Sequence, residues 1–351
     1  MHHPSFARLA PAVALLGLCG AACRSSEGPS APGPSAPAAV EPLETYPETP
    51  AALVLDGTAF DTALKVTLPP ESPEEYEGLH NVFHLSPNIV SGSEPHGAEA
   101  LVELQKMGVR TILSVDGKVP DGEAAAKLGM RYVHIPIQYK GVTQAELGEI
   151  SKTFRELEGP FYVHCFHGKH RGPAAAAVGR IVLDGADRQT AIAEMRQYCG
   201  TASKYEGLYH DIATAHIPTA AETRALDFDF AAKRLPEGIV GLMVPISRAN
   251  DNLDALDKRS FAVDPEHPDV DPAQEARILL QSFEAALELD EVKNGAADYR
   301  GWFQAAHDDS AKLVDSLLRL EDGDAAAAAE TSKNWAAVKA SCTACHKAYR
   351  D

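Results

Sequence analysis

The sequence predicts an α/β domain with a parallel-rich sheet over residues 79–218, followed by an all-α four-helix bundle over residues 236–351. Two observations predict that division. In the middle of the chain short apolar runs alternate with helical periods, as in a layered α/β sheet. Beyond it, four long amphipathic stretches with short joins point to antiparallel helices. A third observation, Cys342-Thr343-Ala344-Cys345-His346, sets the chemistry expected of the helical part.

The elements follow in order. Asn88-Ile89-Val90-Ser91-Gly92 reads as a strand entering a turn. Ala98 to Met107 has helical spacing, with Gly108 at the C-cap position. Arg110 to Val115 is a strand that runs into Asp116-Gly117. Glu123 to Leu128 is a short helix stopped by Gly129, and Arg131 to Ile137 is the next strand. Thr143 with Glu146 forms a capping box that opens a helix to about Leu157. Phe161-Tyr162-Val163 is a brief buried strand, and Pro173 suits the first position of a helix through Leu183.

The chemistry of this domain is expected at the end of that last strand, in His164-Cys165-Phe166-His167-Gly168-Lys169-His170-Arg171. A loop between a strand and a helix N-terminus turns backbone N–H groups inward and forms an anion nest. The same field favours the thiolate of Cys165, the nucleophilic form. Arg171 offers a planar fork to phosphate oxygens, and Gly168 permits a tight backbone path. Phe166, His167, Gly168, Lys169, His170 and Arg171 are therefore the expected phosphate-binding residues, with Cys165 and Arg171 catalytic. The three-residue spacing of His164, His167 and His170 also invites a metal reading, but a loop wrapped around an anion turns these side chains different ways. Cys199 reads either as a resolving thiol for Cys165 or as a small buried hydrophobe.

This segment resembles the cysteine-dependent protein phosphatases of the compact dual-specificity type, with their His-Cys-x5-Arg signature. The resemblance spans residues 79–218 and includes Leu85-Ser86-Pro87-Asn88-Ile89-Val90-Ser91-Gly92. It implies phosphoester hydrolysis through a phosphocysteine at Cys165, with Arg171 holding the phosphoryl group. Two departures stand out. Gly172 occupies the position where the family has Ser or Thr. The loop after the strand at 131–137, Gln138-Tyr139-Lys140, lacks the family's aspartate general acid, leaving Asp116, Asp121 or Glu146 as substitutes.

In the helical part, apolar positions from Ile239 to Leu256 mark the first helix, which Pro245 bends locally. Asp271-Pro272 opens a second to about Val292. Tyr299 to Leu320 is the third, and Asp324 caps the last, which runs to Tyr349. Cys-x-x-Cys-His is the attachment pattern of a c-type haem, and composition alone gives about 0.004 occurrences by chance. The other readings are a redox pair or half a zinc site, and no second Cys/His pair lies nearby to complete a zinc shell. The portion resembles cytochrome c-prime and its low-spin relatives, including Arg350 four residues after His346. That resemblance implies haem c bound covalently at Cys342 and Cys345, with His346 as proximal ligand and Met243 on the first helix as the possible sixth ligand.

The chain's ends and charge agree with such a protein. Of 351 residues, 32 are Lys or Arg and 50 Asp or Glu, a net charge of −18. This excludes general nucleic-acid binding, which needs a basic face. Leu9 to Leu18 has the length of a signal-peptide core, too short to span a bilayer. Gly20-Ala21-Ala22 before Cys23 suits lipoprotein cleavage in a signal segment 1–23, although the usual Leu three residues earlier is Gly20. Residues 24–78 are expected as a disordered tether and 219–235 as a linker.

The expected protein is thus periplasmic or cell-envelope, lipid-anchored, with a phosphorylated substrate or other anion and a redox partner protein. The alternative is a haem protein for electron transfer or gas binding whose phosphatase-like domain is inactive and only holds an anion. A third possibility couples the two, since a thiolate and a haem are both oxidisable.

Overall fold

A computed structural model describes residues 46–349, except 236, 266, 268 and 269. The signal segment, Cys23 and Arg350 lie outside the described residues.

Six strands form one sheet in the order β1-β2-β3-β6-β4-β5: β1 (Glu74–Tyr76), β2 (Leu79–His84), β3 (Ile89–Gly92), β4 (Thr111–Ser114), β5 (Arg131–His134) and β6 (Phe161–His164). The strands β3, β6, β4 and β5 run parallel, and β1 and β2 add an antiparallel edge, so the sheet is mixed and parallel-rich. Alternate residues of the central strands feed two cores. Ile89, Leu113, Val133, Phe161 and Val163 face one side, and Val90, Ile112, Tyr132 and Tyr162 the other. Both faces being covered, these strands read as continuous apolar runs.

The helices of this part are α1 (Ala59–Leu64), α2 (Gly97–Lys106), α3 (Gly122–Lys127), α4 (Gln144–Glu156), α5 (Arg171–Asp184), α6 (Arg188–Gln197), α7 (Glu206–Thr214) and α8 (Ala220–Ala225). Residues of α2 and α3 share the smaller core, and those of α4 to α7 the larger. The Thr143–Glu146 capping box opens α4 as expected. Gly108 and Gly129 sit just past their helices at φ +80° and +77°.

In this part four expectations differ from the structure. The strand at 131–137 ends at His134, because Pro136 has no N–H for the ladder; Ile135 and Ile137 still donate to Ser114 O and Val115 O. Helix α5 starts at Arg171, two residues before Pro173, within a first turn where a missing N–H costs nothing. Residues 46–78, expected in the tether, are folded: Ala59 and Ala63 of α1 are fully buried, and Leu53 N–H donates to Ala213 O. The expected linker contains α8 and lies along the α/β domain, where His134 N–H donates to Ala231 O and Phe228 joins the larger core.

The rest of the described chain is helical: α9 (Gly238–Asp257), α10 (Pro272–Glu288), α11 (Asp290–Lys293), α12 (Ala297–Glu321) and α13 (Ala327–Tyr349). The expected second helix is divided, because Leu289 is extended at ψ 137°. Asp271 caps α10 by accepting from Gln274 N–H, with Pro272 at the start, and Pro245 lies inside α9. Helices α9 and α10, α10 and α12, and α12 and α13 are neighbours around one core built on Leu242, Leu253, Leu279, Phe283, Leu313 and Trp335.

Trp335 is fully buried and its indole N–H donates to Asp254 Oδ1 at 3.2 Å. Trp335→Ala is expected to cost about 3–5 kcal/mol, read as a lower urea midpoint by circular dichroism.

Candidate functional site

The loop 164–171 leaves the central strand β6 and enters α5, at the carboxyl ends of the parallel strands, where α/β sheets bind ligands. Two features force its path. Gly168 has φ +68°, and a Cβ there would lie 2.3 Å from the carbonyl carbon of Gly92. From the neighbouring chain, Asn81 donates to Gly168 O at 3.0 Å and Thr201 donates to Lys169 O at 2.6 Å. The loop is therefore pinned by side chains from β2 and from the segment before α7.

Cys165 and Arg171 are brought together here, both buried. Arg171 Nη2 donates to Asp116 Oδ2 at 2.6 Å and to Tyr139 Oη at 2.8 Å. Its Nε is buried and has no partner among the described residues. A buried donor without an acceptor is costly, and a phosphoryl oxygen would satisfy it. Burial disfavours the charge on Arg171, but Asp116 and Tyr139 outweigh that and raise its pKa.

Asp116, at the end of β4, is the hub. Oδ1 accepts from Lys118 N–H and from the Gln274 amide, each at 2.9 Å, and Oδ2 also accepts from Phe166 N–H at 3.1 Å. Burial alone would raise its pKa, but the Arg171 charge and these hydrogen bonds hold it down at about 2. Asp116 is thus an ionised positioning group for Arg171 and cannot give a proton. Asp121 and Glu146, the other two substitutes from the sequence, are spent capping α3 and α4.

The remaining expected residues divide. Phe166 uses its N–H on Asp116 and not on the cradle. His170 packs edge-on against Tyr205 at 4.2 Å. His164 is buried against Tyr132 Oη at 2.6 Å, and burial pushes its pKa down to about 3, so the ring is neutral. Burial pushes the Cys199 thiol up to about 12, which denies it the thiolate a resolving cysteine needs. A Cβ at Gly172 would lie 3.0 Å from Cys165 N, so the site is tight for the Ser or Thr of the family pattern. Gln274 and Glu275 are not legible as site residues in the sequence: Gln274 reaches Asp116 from α10, 158 residues away, with Glu275 beside it, and no local pattern marks them.

A second site lies among the last helices. Met243, Phe283, Trp302, Phe303, Cys342, Cys345 and His346 line a small apolar pocket. Positions 342, 345 and 346 share one face of α13, and Met243 enters from α9. Burial pushes Cys342 up to about 11 and raises Cys345, and both thiols are free.

A cysteine closing a central parallel strand, with an arginine opening the next helix, defines the α/β part as a phosphatase domain of the dual-specificity type. Residues 84–225 match the family described as "Swiss Army Knife protein, DSP-PTPase phosphatase domain". The dual specificity protein phosphatase TpbA of Pseudomonas aeruginosa is similar to it. The protein of strain UCBPP-PA14 is 30% identical over 138 residues, 37% of this chain and 62% of that protein. The PAO1 protein is 28% identical over 149 residues, 41% of this chain and 66% of its own. The chain thus spans slightly under two thirds of the length of these relatives. The crystal structure of P. aeruginosa TpbA aligns at 26% identity and a TM-score of 0.34, covering 44% of this chain and 90% of that one.

The depressed pKa of Asp116 fixes a pH dependence. A carboxylate held below its unfolded value contributes stability that is complete above about pH 4 and is lost as pH falls toward 2. Asp116→Asn is expected to flatten that acid limb in unfolding measurements. At neutral pH it costs about 3–5 kcal/mol, because Arg171 is left buried without its counter-charge.

Proposed function

We propose that this chain is an exported two-domain protein that hydrolyses phosphoesters through Cys165 and binds haem c covalently in its helical part. The observation that carries the hydrolase reading is the unsatisfied Nε of Arg171 beside Cys165, in a loop whose path needs Gly168 and is pinned by Asn81 and Thr201. The matched family and the similarity to TpbA support the reading. The substrate class is a phosphorylated small molecule or phosphotyrosine-like side chain.

In this reading Arg171 orients the phosphoryl group against the Cys165 sulfur. The thiolate attacks phosphorus, the bond to the leaving oxygen breaks, and a phosphocysteine forms. Water then attacks phosphorus, releasing inorganic phosphate and restoring the thiolate. Asp116 keeps the guanidinium in place throughout and takes no proton. Gly172 and the loop without a carboxylate favour the second reading, an anion-binding domain without turnover.

The residues around the helical pocket fit a c-type haem: two free thiols and a histidine share one helix face, opposed by Met243 and walled by aromatic rings. Attached there through Cys342 and Cys345, with His346 as proximal ligand and Met243 as candidate sixth, haem would supply one-electron chemistry or bind a diatomic gas. The helical part is then a cytochrome c-prime-like four-helix bundle, and a redox partner protein exchanges electrons with it. The N-terminal run ending at Cys23 supports export and a lipid anchor in the cell envelope. Among the described residues no helix is long and apolar enough to cross a membrane.

Two measurements test this. Purified full-length protein should hydrolyse p-nitrophenyl phosphate, and Cys165→Ser should abolish turnover while still binding phosphate; a wild type that binds phosphate without turnover selects the second reading. Protein made in a host that matures c-type cytochromes should keep its haem on a denaturing gel, and the Cys342→Ala, Cys345→Ala double variant should lose it. Colourless wild-type protein removes the haem reading. If the two centres are coupled, the hydrolysis rate differs between oxidised and reduced protein, and equal rates remove the coupling.

A further inference from the structure

The loop after β5 brings no carboxyl group to the anion cradle, and Asp116 is locked as an anion. One other acidic side chain, outside the α/β domain, lies within electrostatic reach of Arg171. Glu275 stands in the first turn of α10, next to Gln274, whose amide binds Asp116 at 2.9 Å. That turn, Pro272 to Ala276, is buried throughout. Its docking is held on two sides. Gln281 exchanges hydrogen bonds with both backbone groups of Val119, at 2.9 and 3.3 Å. Lys204, next in sequence to the Tyr205 that packs on His170, meets His267 in the loop before α10 at 3.1 Å.

We propose that Glu275 is the proton donor to the leaving group, so that the helical part supplies the acid that the phosphatase-type loop lacks. The inference rests on the hydrolase reading above. The groups facing Glu275 come from three elements besides its own. Burial is the largest influence and opposes ionisation, as do Asp116 at the end of β4 and Asp271 at the N-cap of α10. The Asn252 amide from α9 and Arg171 from α5 favour ionisation. The balance raises the carboxyl to about 7, so much of it carries a proton at neutral pH. Glu94 is the other buried carboxyl near Asp116, but it is ion-paired with Lys118.

The chemistry balances. As the Cys165 thiolate forms its bond to phosphorus, the P–O bond to the leaving group breaks. The Glu275 O–H proton passes to that oxygen, which departs as an alcohol or phenol. Glu275 is left as a carboxylate, able to take a proton from the water that then hydrolyses the phosphocysteine.

The test compares full-length wild type with Glu275→Gln on a series of phosphate monoesters, from p-nitrophenyl to phenyl to alkyl. The variant should lose about 10²–10⁴-fold in kcat on phenyl and alkyl phosphates. It should lose far less on p-nitrophenyl phosphate, whose leaving group needs little protonation. The fall in kcat above about pH 7 should also vanish in the variant. An unchanged leaving-group dependence with an unchanged pH profile overturns the inference while leaving the hydrolase reading standing. A wild type with no turnover on any ester overturns both. If Glu275→Gln does not fold, Asn252→Ala serves instead: loss of the amide that favours the carboxylate should move the basic limb to higher pH, and an unmoved limb overturns the inference.

Discussion

The buried ion pair between Arg171 and Asp116 is the constraint on which the site depends. Two opposite charges out of water are stable only when the rest of their hydrogen-bonding capacity is met. Asp116 meets it from four directions: the guanidinium, the N–H groups of Phe166 and Lys118, and the amide of Gln274. The donors come from three parts of the chain, so the carboxylate, at the end of β4, fixes the cradle, the turn after that strand and the start of α10 relative to one another. The buried guanidinium Nε has no partner among the described residues. The pair therefore both anchors the arginine and leaves it a donor to offer.

That arrangement makes α10 part of two places. Its first turn, with Gln274 and Glu275, borders the cradle. Two turns further on, Phe283 faces the pocket that also holds Cys342, Cys345 and His346. A helix packed on α9 and α12 is stiff over such a distance. Any change in how the pocket is filled has a short mechanical path to Asp116, which gives the coupled reading a physical route. The helical part is more than an appendage, since Gln274 and Gln281 of α10 bond to Asp116 and to the backbone of Val119.

What the sequence revealed depended on whether the cause was local. The Thr143–Glu146 box, the glycines after α2 and α3, and the cysteine-to-arginine loop are written in residues a few positions apart, and all were readable. The strand after Arg131 looks longer in the sequence than it is, because apolar alternation continues past Pro136 while the ladder does not. Residues 46–78 resemble a tether in their prolines and acids, yet α1 buries Ala59, Thr62 and Ala63 against the domain. The role of Asp116 was readable only as a list of candidates, since its partners lie 55 and 158 residues away. Gln274 and Glu275 were invisible for the same reason: polar residues in a first helical turn ordinarily face water.

The most direct test of the account is a crystal structure of the full chain with vanadate, which mimics the phosphoryl group in flight. The account predicts vanadium bonded to Cys165 Sγ, an equatorial oxygen on Arg171 Nε, Asp116 still paired with Arg171, and the Glu275 carboxyl within hydrogen-bond distance of the apical oxygen. An apical oxygen facing only water, with α10 withdrawn from Asp116, would contradict it.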